Sequence, residues 1–247
     1  MYRDSVEFHF YEAAKSGDVE LAKQILRGNP GLNVNWKHPS ILEDHNPAIV
    51  TAAKQGHDAI ISILLAHPDI DPNAGGDSDT KAMHQACWFG RTSCARVLLQ
   101  DRRVSVSAPD YYGRTPSWYT ASFHGHLEPI KWWIASGREM NMRGRPEDEK
   151  TDAIRQAKKD MRTELVTLLE NFQKNPDQTR REIRDELGVT GKFLFLNSQT
   201  RPQLLLTPPL TNRVPCAHLT QTTNERGIPC LFGLAPPPPL FRVLCGC

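Results

Sequence analysis

The side chains in this sequence that could do chemistry are its cysteines and histidines. Four of the six cysteines fall in the last 32 residues, where Cys216, His218 and Cys230 are followed by a Cys-Gly-Cys end at Cys245 and Cys247. Thiolate and imidazole are zinc ligands, but these spacings match no finger or ribbon. A four-residue prenylation box would need Cys at 244, where Leu244 stands. His57, His84 and His126 are the other candidates. A general base needs an acidic or nucleophilic partner fixed within hydrogen-bond reach, and the sequence fixes none beside them. They read as ring nitrogens that serve the backbone. No phosphate-cradling glycine loop, nucleophile elbow or His-Glu-x-x-His motif is present. No cofactor, metal or catalytic residue is implied.

Charge narrows the partners further. The chain of 247 residues carries a formal charge of +2, and four arginines against one acid lie in residues 193–247. The remainder, 26 basic and 27 acidic residues, is near neutral, which argues against nucleic acid or an anionic membrane as partner. No apolar run approaches the length of a membrane span. The start, MYRDSVEFHFYEAAK, lacks the apolar stretch of a secretory signal. A reducing compartment, cytoplasm or nucleus, is expected.

The elements that position these residues recur. Small-residue pairs at Ala13-Ala14, Ala52-Ala53, Ala86-Cys87, Thr120-Ala121 and, degenerate, Gln156-Ala157 are 39, 34, 34 and 36 residues apart. Behind each lies a bulky doublet: Ile25-Leu26, Leu64-Leu65, Leu98-Leu99, Trp133-Ile134 and Leu168-Leu169. Gly17, Gly56, Gly90 and Gly125 separate the two halves, and Asp160 or Met161 takes that place in the fifth. Each unit predicts two short helices joined by a tight turn. Helices of eight to ten residues are too short to persist alone in water, so each must bury its face against a neighbour.

The clearest unit, DYYGRTPSWYTASFHGHLEPIKWWIASGREMNM at 110–142, resembles an ankyrin repeat: an Asp-x-x-Gly turn, Thr-Pro opening a helix, a Gly-His turn and a second apolar helix. Met83-His84-Gln85-Ala86-Cys87 is close to that family's Leu-His-x-Ala-Ala. The resemblance covers about residues 5–173 and implies an all-α solenoid of stacked helix-turn-helix units at 1–36, 46–75, 77–107, 110–142 and 146–173. A helix at 175–188 is expected as a C-terminal cap, with Asn175 before it, Pro176 at its first position and Gly188 as its stop. Residues 37–45 read as an enlarged surface loop. Pro129 is placed in the first turn of its helix, where it costs little. One extra residue, Phe123 or His124, is expected to bulge the turn of repeat four. Residues 193–247 hold nine of the 19 prolines without helical periodicity and read as a disordered tail.

Ankyrin-type proteins bind through turn tips and the ends of their first helices. Carried over, repeat four offers Tyr111, Tyr112 and Arg114 at its tip, and Ser122 and Phe123 on its first helix with His124 beside them. Repeat three offers Ser78 and Thr80 at its tip and Trp88 and Phe89 at the end of its first helix. Lys54 and Gln55, and Lys15 and Ser16, are the polar equivalents in repeats two and one. An aromatic centre with a polar rim has the composition of an interface hot spot. Tyr111, Tyr112 and Arg114 are expected to be exposed; Trp88 and Phe89 suit either the surface or the seam between repeats. Trp118, Trp132 and Trp133 are assigned to the core. The expectation is a monomeric, non-enzymatic adaptor for a protein partner. Against it stand a metal-dependent or catalytic role for the cysteine-containing tail, and association with nucleic acid.

Overall fold

The computed structural model describes residues 2–121, 125–143 and 152–189. Residues 122–124, where the bulge of repeat four is expected, residues 144–151 and everything from residue 190, including the tail cysteines and His218, lie outside them. The described residues form eleven α-helices, with one isolated bridge (Lys37 to Pro47) and no strand among them.

The first hairpin joins α1 (Val6–Ser16) to α2 (Val19–Gly28). Ser5 caps α1 by accepting from the Phe8 N–H, and Asp18 caps α2 by accepting from Leu21. Between them Gly17 sits at φ +78°, a conformation that L-residues avoid. The pattern repeats in α3 (Ala48–Gln55) and α4 (Asp58–Ala66), α5 (Ala82–Trp88) and α6 (Thr92–Gln100), α7 (Pro116–Ala121) and α8 (Leu127–Ser136), and α9 (Ala153–Lys159) and α10 (Thr163–Lys174). Pro129 is the third residue of α8, where no intrahelical bond needs its missing N–H. In the fifth turn the left-handed position falls on Met161, at φ +54°.

First helices stack on first helices, α1 on α3, α5, α7 and α9 in turn, while α2, α4, α6, α8 and α10 form a second row behind them. The small pairs let the first row approach closely: Ala13, Ala14, Ala52, Ala53, Ala86, Cys87 and Thr120 are all buried. Between the rows, Ile61, Leu64, Leu98, Leu99, Ile130, Trp133, Leu165 and Leu169 are fully or nearly fully buried. Each such aliphatic side chain contributes about 1.5–3 kcal/mol. The last helix, α11 (Pro176–Glu186), lies on α8 and α10 through Ile183, with Pro176 at its first position and Gly188 at φ +64° just beyond it.

Polar groups tie neighbouring hairpins at fixed places. In the second and third hairpins the residue after the turn glycine reaches back to the preceding repeat, His57 Nε2 donating to the Lys15 carbonyl (3.1 Å) and Arg91 Nε to that of Lys54 (3.1 Å). At the other end of the second row, arginines cap carbonyls at helix C-termini, where a cation also meets the favourable end of the dipole. Arg103 donates to Leu65, Arg138 to Leu99, Asp101 and Val104, and Arg184 to Ala135. Asn35 brackets the next loop, donating to the Asp69 carbonyl (2.7 Å) and accepting from the Asp71 N–H (2.8 Å); Asn73 does the same to Arg103 and Ser105.

Candidate protein-binding surface

The tip of repeat four is built on one buried carboxylate. Asp110 Oδ1 accepts from the Tyr112 and Arg114 N–H groups (2.9 and 2.8 Å), while Oδ2 accepts from Arg114 Nε (2.9 Å) and the Tyr119 hydroxyl (2.8 Å). The Arg114 guanidinium closes an ion pair at 2.7 Å. Gly113, at φ +81°, turns the chain inside this clasp. The Tyr111 N–H donates to the Ser78 carbonyl (2.9 Å), and Asp77 N–H likewise to that of Asp44 (2.9 Å), so the tips of repeats two to four are joined by main-chain bonds.

This leaves Tyr111 70% and Tyr112 55% exposed, their rings perpendicular with centroids 5.5 Å apart. Arg114 is half-buried. Its guanidinium lies 4.6 Å from the Tyr112 ring and 5.0–5.2 Å from those of Tyr119 and Trp118, near enough for cation–π attraction. Trp88 is half-buried with its ring 5.2 Å from Tyr119. The structure thus brings Trp88 and Arg114 against Tyr119, with Tyr112 beside Arg114. Phe89 is also half-buried and ends α5, its N–H donating to the Gln85 carbonyl. Ser122, Phe123 and His124 lie outside the described residues.

Two assignments differ from the sequence reading. Of the three tryptophans expected in the core, only Trp133 is fully buried; Trp118 and Trp132 are half-buried, each under an arginine, Arg114 in one case and Arg96 at 4.0 Å in the other. Helical spacing marks a bulky position but does not say whether a cation lies over its outer face. Arg114 is engaged first with its own loop, so it offers a partner its ring-stacked face rather than a free charge.

Tyr119 and Asp110 are the residues that sequence reasoning missed. An Asp four positions before an Arg, across an x-x-Gly turn, was the available signal. Burial, and then the Asp110 carboxylate to which it donates, push the Tyr119 phenol up to about 12, so it is always a donor at neutral pH. His84 was read correctly as serving the backbone. Its Nδ1 accepts from the Lys81 N–H (3.1 Å), which leaves Nε2 to donate to the Arg114 carbonyl (3.2 Å). Burial pushes its ring down to about 4, keeping it neutral. Cys87 and Cys94 are buried, and burial pushes both thiols up to about 12, far from a reactive thiolate.

A second exposed feature was legible only as a loop. Within residues 37–45, a single turn of 3-10 helix at Ile41–Glu43 leaves Ile41 76% and Leu42 92% exposed. Beneath it Glu43 bonds to Lys15 (2.7 Å) and the Tyr11 hydroxyl (3.2 Å), while His38 packs on Tyr11 with centroids 4.8 Å apart.

Residues 10–110 match the family model of ankyrin repeats, in three copies. With the stacked hairpins and the bonded tips, that match shows ankyrin repeats over residues 10–110, an architecture that binds other proteins. The chain is 28% identical over 123 residues to a probable E3 ubiquitin-protein ligase, XBOS32, of Oryza sativa subsp. japonica, covering 50% of this chain and 24% of that protein. It is 31% identical over 123 residues to the E3 ubiquitin-protein ligase XBAT33 of Arabidopsis thaliana, covering 50% and 23%. It is 24% identical over 224 residues to the mouse ankyrin repeat and IBR domain-containing protein 1, covering 74% and 20%. The chain therefore spans a quarter or less of each of these relatives. No helix among the described residues is long and apolar enough to cross a membrane.

Proposed function

We propose that this protein is a non-enzymatic adaptor that captures a protein partner through the repeat-four tip and the adjoining ends of the first helices. The observation that carries it is a pair of exposed tyrosines on a tip that Asp110 and the Ser78 carbonyl hold in one shape. Tyrosines set in a rigid backbone lose little conformational freedom on binding, which is why such side chains dominate hot spots. Arg114, under Tyr112, adds a polar rim. The protein works as a monomer in the cytoplasm or nucleus.

The test is affinity capture with the full chain, wild type against Tyr111→Ala/Tyr112→Ala, read by mass spectrometry. Proteins retained by the wild type and lost from the variant, at an unchanged melting temperature, support the site. Identical capture profiles overturn it. A second reading is favoured by the names of the two plant relatives: the array holds a protein destined for ubiquitin transfer by a separate ligase. Ubiquitin-ligase components among the captured proteins would support that role.

A further inference from the structure

The enlarged loop at 37–45 is joined to repeat three by a histidine whose two ring nitrogens both face acceptors. His45 Nδ1 lies 2.6 Å from Asp77 Oδ2, and Nε2 lies 3.2 Å from the Pro39 carbonyl. A neutral imidazole has one N–H and can satisfy only one of these; the imidazolium has two and satisfies both. Asp44 and His45 also occupy successive left-handed conformations, at φ +51° and +46°. Non-glycine residues hold such geometry only where surrounding bonds fix it. From this arrangement we propose that His45 is a proton-operated latch, which in its charged form fastens the Ile41–Leu42 tip to the tip of repeat three and on losing its proton lets that tip loosen.

The latch closes two rings. Across the repeats, the Asp77 carboxylate accepts a hydrogen bond from Nδ1–H beside the main-chain bond from Asp77 N–H to the Asp44 carbonyl. Within the loop, the bond to Pro39 returns the chain on itself around the exposed turn. The charged groups facing the ring are Asp77 of the repeat-three tip, which favours the imidazolium, and Lys37 of the loop, which opposes it. Glu43, on the same loop, is turned away toward Lys15 and Tyr11, and that anchor does not titrate near neutrality. The Asp77 hydrogen bond outweighs the rest and raises the His45 ring above its ordinary value. A group raised on folding contributes stability that is complete below the unfolded value, near 6.5, and is lost as pH rises through the folded one. The latch is therefore shut below the unfolded value and opens as pH rises through the raised folded one. Leu42, 92% exposed, rides on the part that is released.

Nuclear magnetic resonance on the full chain tests this. The His45 ring resonance gives its titration midpoint, and amide exchange at Asp77, corrected for intrinsic rate, gives the closure of the tip. The expected result is a midpoint above that of an unfolded-chain histidine, with Asp77 protection falling severalfold through the same pH range. His45→Gln should abolish the step in protection. Asp77→Asn should lower the midpoint and abolish the step, so one variant suffices if the other fails to fold. Protection that is flat through the titration, or a step that survives His45→Gln, overturns the latch.

Discussion

His84 is held neutral between two backbone groups, and that choice has a measurable pH signature. Its ring titrates near 4 when folded and near 6.5 in an unfolded chain. As pH falls below 6.5 the unfolded state takes up the proton first. The stability is thus whole above 6.5 and drains away toward pH 4, by up to about 3 kcal/mol. His84→Gln should start less stable at pH 7.5 yet show a visibly shallower decline in melting temperature from pH 6.5 to 4.5; an unchanged slope would refute the assignment. The turn residues make a second contrast. At Gly90, φ is +62° and a Cβ would lie 2.7 Å from the His126 ring, so Gly90→Ala should cost about 2 kcal/mol or more. At Met161 the same backbone carries a side chain that is 84% exposed, so strain of about 1 kcal/mol is the whole penalty. Met161→Gly should raise the midpoint of urea unfolding slightly, the relief being partly offset by glycine's freedom in the unfolded chain. The histidines and glycines were legible in the sequence because they recur. Asp110 and Tyr119 were not, because a single hydrogen-bonded clasp occurs once and leaves no period.

The helices are short, and their ends are finished by the neighbouring repeat. Arg138 shows this most directly, since its guanidinium serves the Leu99 and Asp101 carbonyls at the C-terminal end of α6 and that of Val104 in the loop after it. Arg138→Met keeps much of the aliphatic stem but strands those carbonyls. A loss of about 2 kcal/mol is expected, read in urea unfolding, with near-native circular dichroism below the transition. Leu98, buried between α6 and its neighbours, tests packing in the same place: Leu98→Ala should cost about 3 kcal/mol. The pairing of helices was readable from the sequence, since small pairs, glycines and bulky doublets alternate at nearly constant spacing. The cross-repeat caps were not. An arginine such as Arg103 or Arg184 looks like solvated charge until the carbonyl it bonds is brought beside it by the stack. The half-burial of Trp118 and Trp132 escaped for a related reason, because the cation above each is placed by the fold.

At the scale of the whole array, each hairpin packs among the described residues mainly on its neighbours, so stability is close to a sum of hairpin and seam terms. Weakening a central seam should then do more than lower the midpoint. In Leu98→Ala, amide exchange should become faster across α5 and α6 while α9 to α11 keep their protection; uniform acceleration would mean that the array unfolds as one cooperative block. The binding proposal belongs to this scale too, because Tyr111 is aimed by the Ser78 carbonyl of the preceding tip and not by its own repeat alone. Thr80→Pro, at the base of that preceding tip, should weaken partner capture with Tyr111 and Tyr112 intact, whereas unaltered capture would show the tyrosines to be autonomous. The glycine row has a consequence for growth of such a protein. The crossing glycines of the first four hairpins each lie under a side chain of their successor, His57 over Gly17, Arg91 over Gly56, His126 over Gly90 and Arg162 over Gly125. The fifth hairpin carries Met161 there instead. A further hairpin stacked in the same way would meet that methionine side chain where the earlier seams meet a bare glycine, and it would also have to accommodate α11 on the second row.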